Sequence, residues 1–184
     1  MTEKRQTYSV DIAGVHRELP LFEIKPGLRI AILNILGDTE LVTACARGLA
    51  EKLSALDYDV VVTAESKSIP LAHALSVENH KPYVVLRKSY KPYMGSALSA
   101  ETLSITTGEP QTLYLDEKDR LGMASKKVVI LDDVISTGST LQGMRLLMQH
   151  AGAQVVAEAA ILTEGERARW HDIISLGHLP VFTD

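Results

Sequence analysis

Apolar residues along this chain fall into short runs of two kinds, and the two kinds alternate. Val128, Val129, Ile130 and Leu131 are consecutive, the pattern of a parallel strand covered on both faces. Directly after them Leu141, Met144, Leu147 and Met148 recur at helical spacing across residues 138–150, and Gly152 suits the C-terminal cap. The pairing repeats upstream. Leu41, Cys45, Leu49 and Leu53 form an i, i+4 stripe with Asp38 or Thr39 as its cap. Residues 60–63 predict a short strand and 64–68 a polar turn, and Pro70 suits the first turn of a helix through Leu75. Residues 82–86 and 155–162 predict further strands, and 117–124 a short helix. Strands alternating with helices predict an α/β fold: a Rossmann-like parallel sheet core flanked by helices on both faces.

The two ends of the chain leave this rhythm. Residues 8–13 alternate as a strand, 20–26 hold two prolines and predict a loop, and 30–36 are a short apolar run. Residues 173–176 and 179–182 predict short strands. These pieces suit a small cap, from about 1–37 and 164–184, around a core of about 38–163. Residues 89–110 are rich in glycine, proline, tyrosine and hydroxyls; a loop of that length predicts a flexible lid.

Composition narrows the classes. A chain of 184 residues suits one domain, 1–184, with a proper core. A net charge of −4 gives no reason to expect nucleic acid, and no basic block suggests a membrane surface. The single Cys45 excludes an intrachain disulfide framework and sits in an apolar stretch as a core thiol. Residues 1–6 precede no apolar signal region, and no window approaches the roughly 18–20 apolar residues of a membrane span. The expected location is cytoplasmic. The six histidines show no zinc spacing, and Trp170 is expected to pack the cap against the core.

The chemistry collects at strand ends. Asp132 and Asp133 close the most apolar strand, where open α/β sheets place their ligands. Ser136, Thr137, Gly138, Ser139 and Thr140 are small residues whose backbone N–H groups can converge on an anion at a helix N-terminus. A phosphate cradle beside an acid pair points to a phosphorylated sugar whose hydroxyls and metal face carboxylates. Ala64, Glu65, Ser66 and Lys67 make a second strand-to-helix turn of the same kind. Arg87 and Lys88 end a third strand, followed by Lys91 and Tyr93, and can neutralise an anionic leaving group.

The run from Val128 to Thr140 closely resembles the phosphoribosyl pyrophosphate (PRPP) signature of type I phosphoribosyltransferases. It has the apolar strand, the Asp-Asp, two apolar residues, then a small residue, Thr-Gly and a hydroxyl-bearing turn. The likeness extends over about residues 38–163. It implies transfer of ribose 5-phosphate from PRPP to a purine base with release of pyrophosphate, a step of purine salvage. It implies that the 136–140 turn holds the 5′-phosphate. Asp132 and Asp133 would bind the ribose hydroxyls, directly or through waters of a Mg²⁺ riding on PRPP. The Ala64–Lys67 turn, which in relatives often contains a cis peptide, would bind pyrophosphate with Arg87, Lys88 and Lys91. Val134 or Ile135 would give the base an apolar face. The cap becomes a hood over the base, and 89–110 a loop that closes to exclude water. In relatives a basic residue at the place of Arg87 sometimes serves the neighbouring subunit, which implies a homodimer.

Ser136 stands where hypoxanthine/guanine enzymes carry a carboxylate, and a serine is no base at neutral pH. Adenine enzymes have a small residue there, which makes adenine the expected acceptor. Adenine enzymes also carry a Glu in their flexible loop; in Ser104-Ile105-Thr106-Thr107-Gly108 that place holds Thr106. The alternatives are a xanthine or other 6-oxopurine enzyme and a non-catalytic PRPP-sensing regulator. No G-x-G-x-x-G turn supports a generic dinucleotide binder.

Overall fold

The computed structural model describes residues 5–103 and 110–183. In chain order its strands are β1 Thr7–Ile12, β2 Val15–Lys25, β3 Leu28–Ala31, β4 Val60–Ala64, β5 Tyr83–Leu86, β6 Leu98–Leu103, β7 Pro110–Leu115, β8 Lys127–Ile135, β9 Gln154–Glu164, β10 Ile174–Leu179 and β11 Val181–Thr183. The helices are α1 Thr39–Leu53, α2 Ile69–Asn79, α3 Glu117–Arg120 and α4 Ser139–His150, with short 3-10 turns at Pro92–Met94 and Arg167–Trp170.

The central sheet has the order β10-β9-β8-β4-β5, and every neighbouring pair is parallel. Its strands are buried on both faces, which is why they read as continuous apolar runs. Val61, Val129, Leu131, Ala159 and Ile161 join one core under α1 and α2. Val60, Val62, Val128, Ile130 and Ala160 alternate with them into a second core under α4 and the β6–β7 hairpin. The chain lays β5 on one side of β4 and later β8 on the other. Strand order therefore reverses between β4 and β8. At such a switch point the loops leaving the two carboxyl ends diverge and leave a crevice.

A second sheet, β1-β2-β3-β11, is antiparallel and draws its strands from both chain ends. Arg17 of β2 reaches Asp38 at 2.8 Å, and Asp38 also caps α1 by accepting the Leu41 N–H, so hood and core share one residue.

Three expectations change. Residues 20–26 are mostly strand, because Pro20 stands where β2 exchanges β1 for β3 as its partner. Residues 89–110 are not one loop: they contain the Pro92–Met94 turn and β6, whose Ala100 is buried beneath α4 with Leu113 of β7. Residues 164–184 divide, since β10 extends the central sheet beside β9 and β11 joins the hood. Thr106 and the motif around it lie outside the described residues. No helix among the described residues is long and apolar enough to cross a membrane.

Candidate functional site

The crevice at the β4–β8 switch holds three adjoining cavities with shared walls. The first, about 40 Å³, lies over the turn after β8 and is lined by Asp132 and by Val134 through Leu141. Gly138 ends that turn at φ +80 and stands at the N-cap of α4. A Cβ there would be strained at this φ and would sit 3.0 Å from Trp170 Cη2, a tight contact, so glycine suits the position. Thr137 and Ser139 hydroxyls lie 3.1 Å apart, and Arg169 donates to the Thr137 carbonyl at 3.4 Å. Trp170 packs against the second core, as expected, and also lies against this turn, with its Nε1–H donated to the Glu164 carbonyl at 2.9 Å. The N-terminal end of α4 and the small side chains form a concave surface of the kind that favours an anion.

The second cavity, about 260 Å³, is lined by the turn after β4 and by the acid pair: Ala64, Glu65, Ser66, Lys67, Ser68, Lys88, Asp132, Asp133, Val134 and Thr140. The Glu65–Ser66 peptide in this turn is cis. Asp133 is almost fully buried, and Lys67 Nζ lies 2.8 Å from its Oδ2. That contact is an ion pair off the hydrogen-bonding angle, since Asp133 Oδ2 has no hydrogen bond. Lys67 Nζ also donates to the Leu33 carbonyl at 3.5 Å, reaching from the core to the hood.

Ser68 organises the pair. Its hydroxyl donates to Asp132 Oδ1 at 2.8 Å, with Asp133 Oδ1 at 3.3 Å, and accepts the Asp133 N–H at 3.0 Å. Asp132 Oδ1 also accepts the Asp133 N–H at 2.9 Å. Burial pushes the Asp132 carboxyl well above the usual carboxylate range, and the charge of Asp133 raises it further. Removal from water and a like charge both resist a second anion, so the pair is poised to accept a cation or sugar hydroxyls.

Sequence reading passed over Ser68. A hydroxyl directly before a Pro-led helix reads as an N-cap, yet Ser68 makes no cap hydrogen bond. It is 2% exposed and its hydroxyl is used on the two carboxylates.

The third cavity, about 170 Å³, opens between hood and core; Ile30 through Leu33 form one wall and Lys67, Asp133, Val134, Ser136 and Glu164 the other. Of the two apolar candidates only Val134 lines it. Ile135 falls on the other side of the β8 pleat, buried with Leu141 and Met144 beneath α4.

The basic residues divide. Lys88 lines the second cavity. Arg87 does not: its Nε–H is donated to Glu65 Oε2, and Nη1 to the Tyr93 hydroxyl at 3.5 Å. Arg87 therefore acts on the cavity by holding Glu65, which lines it. Lys91 is exposed ahead of the Pro92–Met94 turn and outside the cavity wall.

Comparison with known proteins identifies the family and the fold. The family model of the phosphoribosyl transferase domain matches residues 33–175. Over 174 residues the chain is 30% identical to an adenine phosphoribosyltransferase of Thermosipho africanus, spanning 91% of this chain and 98% of that one. It is 31% identical to the purine biosynthesis transcriptional repressor PurR of Bacillus subtilis over 78% of this chain and 49% of the repressor. It is 33% identical to a hypoxanthine/guanine phosphoribosyltransferase of Methanothermococcus okinawensis over 62% of this chain and 58% of that enzyme. Among solved structures, adenine phosphoribosyltransferase from Thermoanaerobacter pseudethanolicus superposes with a TM-score of 0.67 at 20% identity, covering 94% of this chain and 95% of that one.

Proposed function

This chain belongs to the phosphoribosyl transferase domain family, and from that premise we propose that it transfers ribose 5-phosphate from PRPP to adenine, giving the nucleoside monophosphate and pyrophosphate. The observation that carries the reading is the acid pair, with Asp133 buried, standing between two strand-to-helix turns with a third cavity beside it. Support for a purine acceptor comes from the purine enzymes among its relatives. Support for adenine comes from Ser136, which lines the base cavity where a carboxylate would serve as base toward a 6-oxopurine.

In this reading the N–H groups and hydroxyls of Ser136–Thr140 hold the 5′-phosphate. Asp132 and Asp133, fixed by Ser68, accept the ribose hydroxyls and offset positive charge as the bond to pyrophosphate lengthens. Lys67, Lys88 and the Ala64–Ser66 turn receive the departing pyrophosphate. Val134 packs on one face of the base. The acid pair also fits a Mg²⁺ shared with ligand oxygens: two carboxylates stand together, and among the described residues no three acidic, His or Cys side chains cluster into a cage. Bound there with PRPP, Mg²⁺ would neutralise pyrophosphate charge.

The test is pyrophosphate release from PRPP and Mg²⁺ with adenine, guanine, hypoxanthine and xanthine in turn. Adenine should be turned over fastest. Asp132→Asn combined with Asp133→Asn should abolish turnover while leaving the far-ultraviolet spectrum unchanged; near-normal turnover by that variant would sink the assignment. A second reading, a PRPP-sensing regulator, draws on the match to the repressor. Measurable PRPP binding with no release for any base would select it.

A further inference from the structure

Glu164 is the last residue of β9 and is only 7% exposed, yet its carboxylate makes no hydrogen bond or ion pair with the described residues. Burial alone, with no cation opposite, raises its carboxyl above the ordinary range. It is not stranded in the core. It lines the cavity between hood and core, across from Ile30–Leu33 and beside Val134 and Ser136. The single cation lining that cavity, Lys67, is already engaged by Asp133 and the Leu33 carbonyl.

The backbone of Glu164 is fixed from two sides. Trp170 Nε1–H is donated to its carbonyl at 2.9 Å. Its backbone pairs with Leu179 of β10, and the next N–H, of Gly165, bonds the Leu179 carbonyl at 3.1 Å. With no donor from the described residues, its carboxylate oxygens stay open to the cavity, where a ligand can supply one.

We propose that Glu164 selects the acceptor base, its carboxylate accepting the N–H groups of an exocyclic amine on the purine edge. This rests on the phosphoribosyltransferase reading and adds a residue that reads the base rather than the sugar. An amino-bearing purine brings donors to the carboxylate. A base with a carbonyl in the place of that amine sets acceptor against acceptor. Adenine carries such an amine at C6 and guanine at C2; hypoxanthine and xanthine have no exocyclic amine and offer only ring N–H groups there.

The experiment measures kcat and KM for these four bases, at saturating PRPP and Mg²⁺, in the wild type, Glu164→Gln and Glu164→Leu. The wild type should favour an amino-bearing base. Both variants should lose roughly 10–100-fold in kcat/KM for it, mainly through KM, as expected for a charge-assisted hydrogen bond. Their kcat/KM for hypoxanthine should hold or rise, because the carboxylate that opposes its carbonyl is gone, and KM for PRPP should stay put, which a general structural fault would not allow. Guanine outrunning adenine would leave Glu164 in place and overturn only the choice of adenine. A wild type that prefers hypoxanthine or xanthine, or variants that keep the wild-type preference, would overturn the proposal while the phosphoribosyltransferase reading stands. No turnover with any base would overturn both. Should the leucine variant fail to fold, the near-isosteric glutamine variant decides the matter alone.

Discussion

Lys67 is the counter-charge that lets Asp133 be buried, and replacing it by methionine isolates that contribution. The ion pair spans 2.8 Å, with the Asp133 side chain 8% exposed and that of Lys67 46% exposed. At this separation Coulomb's law gives about 6 kcal/mol for an effective dielectric of about 20, and about 1.5 kcal/mol in bulk water. A pair with one buried and one half-exposed partner lies nearer the lower figure once side-chain entropy and screening are deducted, at about 2 kcal/mol. Lys67→Met keeps the apolar stem, so the change falls on the charge. For a chain of this size the melting temperature should drop by about 4–8 °C. Asp133→Asn should cost little, because the amide needs no counter-charge and Lys67 can turn to solvent. In the double variant the lysine has no partner left to lose, so its replacement should then be nearly neutral. Urea unfolding of the four proteins should give a coupling of about 2 kcal/mol, only weakly reduced by salt because one partner is buried. Additivity within about 0.5 kcal/mol would refute the argument, since the two side chains would then be neighbours without a shared energy.

Asp132→Asn should separate activity from stability. Its carboxyl is raised above its ordinary value of 3.8, so the folded chain holds the proton longer than the unfolded one and wild-type stability falls as pH rises through that interval. The asparagine variant should match the wild type near pH 4, exceed it increasingly toward pH 8 and lose roughly 100-fold or more in kcat; a stability difference that does not change with pH would count against the sign. Gly138→Ala should cost about 1–2 kcal/mol through its φ of +80 and weaken PRPP binding. Binding can be followed by fluorescence, because Trp170 is the sole tryptophan and touches this turn; unaltered affinity in the variant would show that the turn is not the phosphate cradle. Cys45 is fully buried and its thiol is pushed up to about 12 by burial and the charge of Asp38, so a thiol reagent at pH 8 should label it only as the protein unfolds; rapid labelling of the native chain would contradict this core.

What could be read from the sequence was what each residue states about its own neighbourhood. Val128–Leu131 announces burial on both faces, and both faces are covered. The 136–140 turn announces small residues before a helix, and α4 begins there. What failed to show depends on partners distant in sequence. Residues 20–26 look like a loop until β1 and β3 are both present to pair with β2 on either side of Pro20. Leu98–Leu103 contains serine, glutamate and threonine among its apolar residues and resembles a lid until β7 pairs with it and α4 packs over Ala100. The switch point follows from strand order alone, which no local pattern encodes.

Ser68 and Glu164 are a different kind of omission, because the rule that finds them was available. A carboxylate closing a buried strand is expensive unless something uses it. That rule singled out Asp132 and Asp133 at the end of β8. The apolar run Ala159–Leu162 leads through Thr163 to Glu164 in the same way on the adjacent strand. Applied to both strands, the rule places acids at the carboxyl ends of neighbours in the sheet, on two sides of Val134, with Asp132 and Asp133 lining the second cavity and Glu164 the third. For Ser68 the signal is a cap-forming residue whose hydroxyl is needed elsewhere: α2 already has Pro70 in its first turn, which removes one N–H that a cap would satisfy and leaves the hydroxyl available to the acid pair. Both residues follow from asking what a buried polar group is for, a question that can be put to every strand end in the crevice.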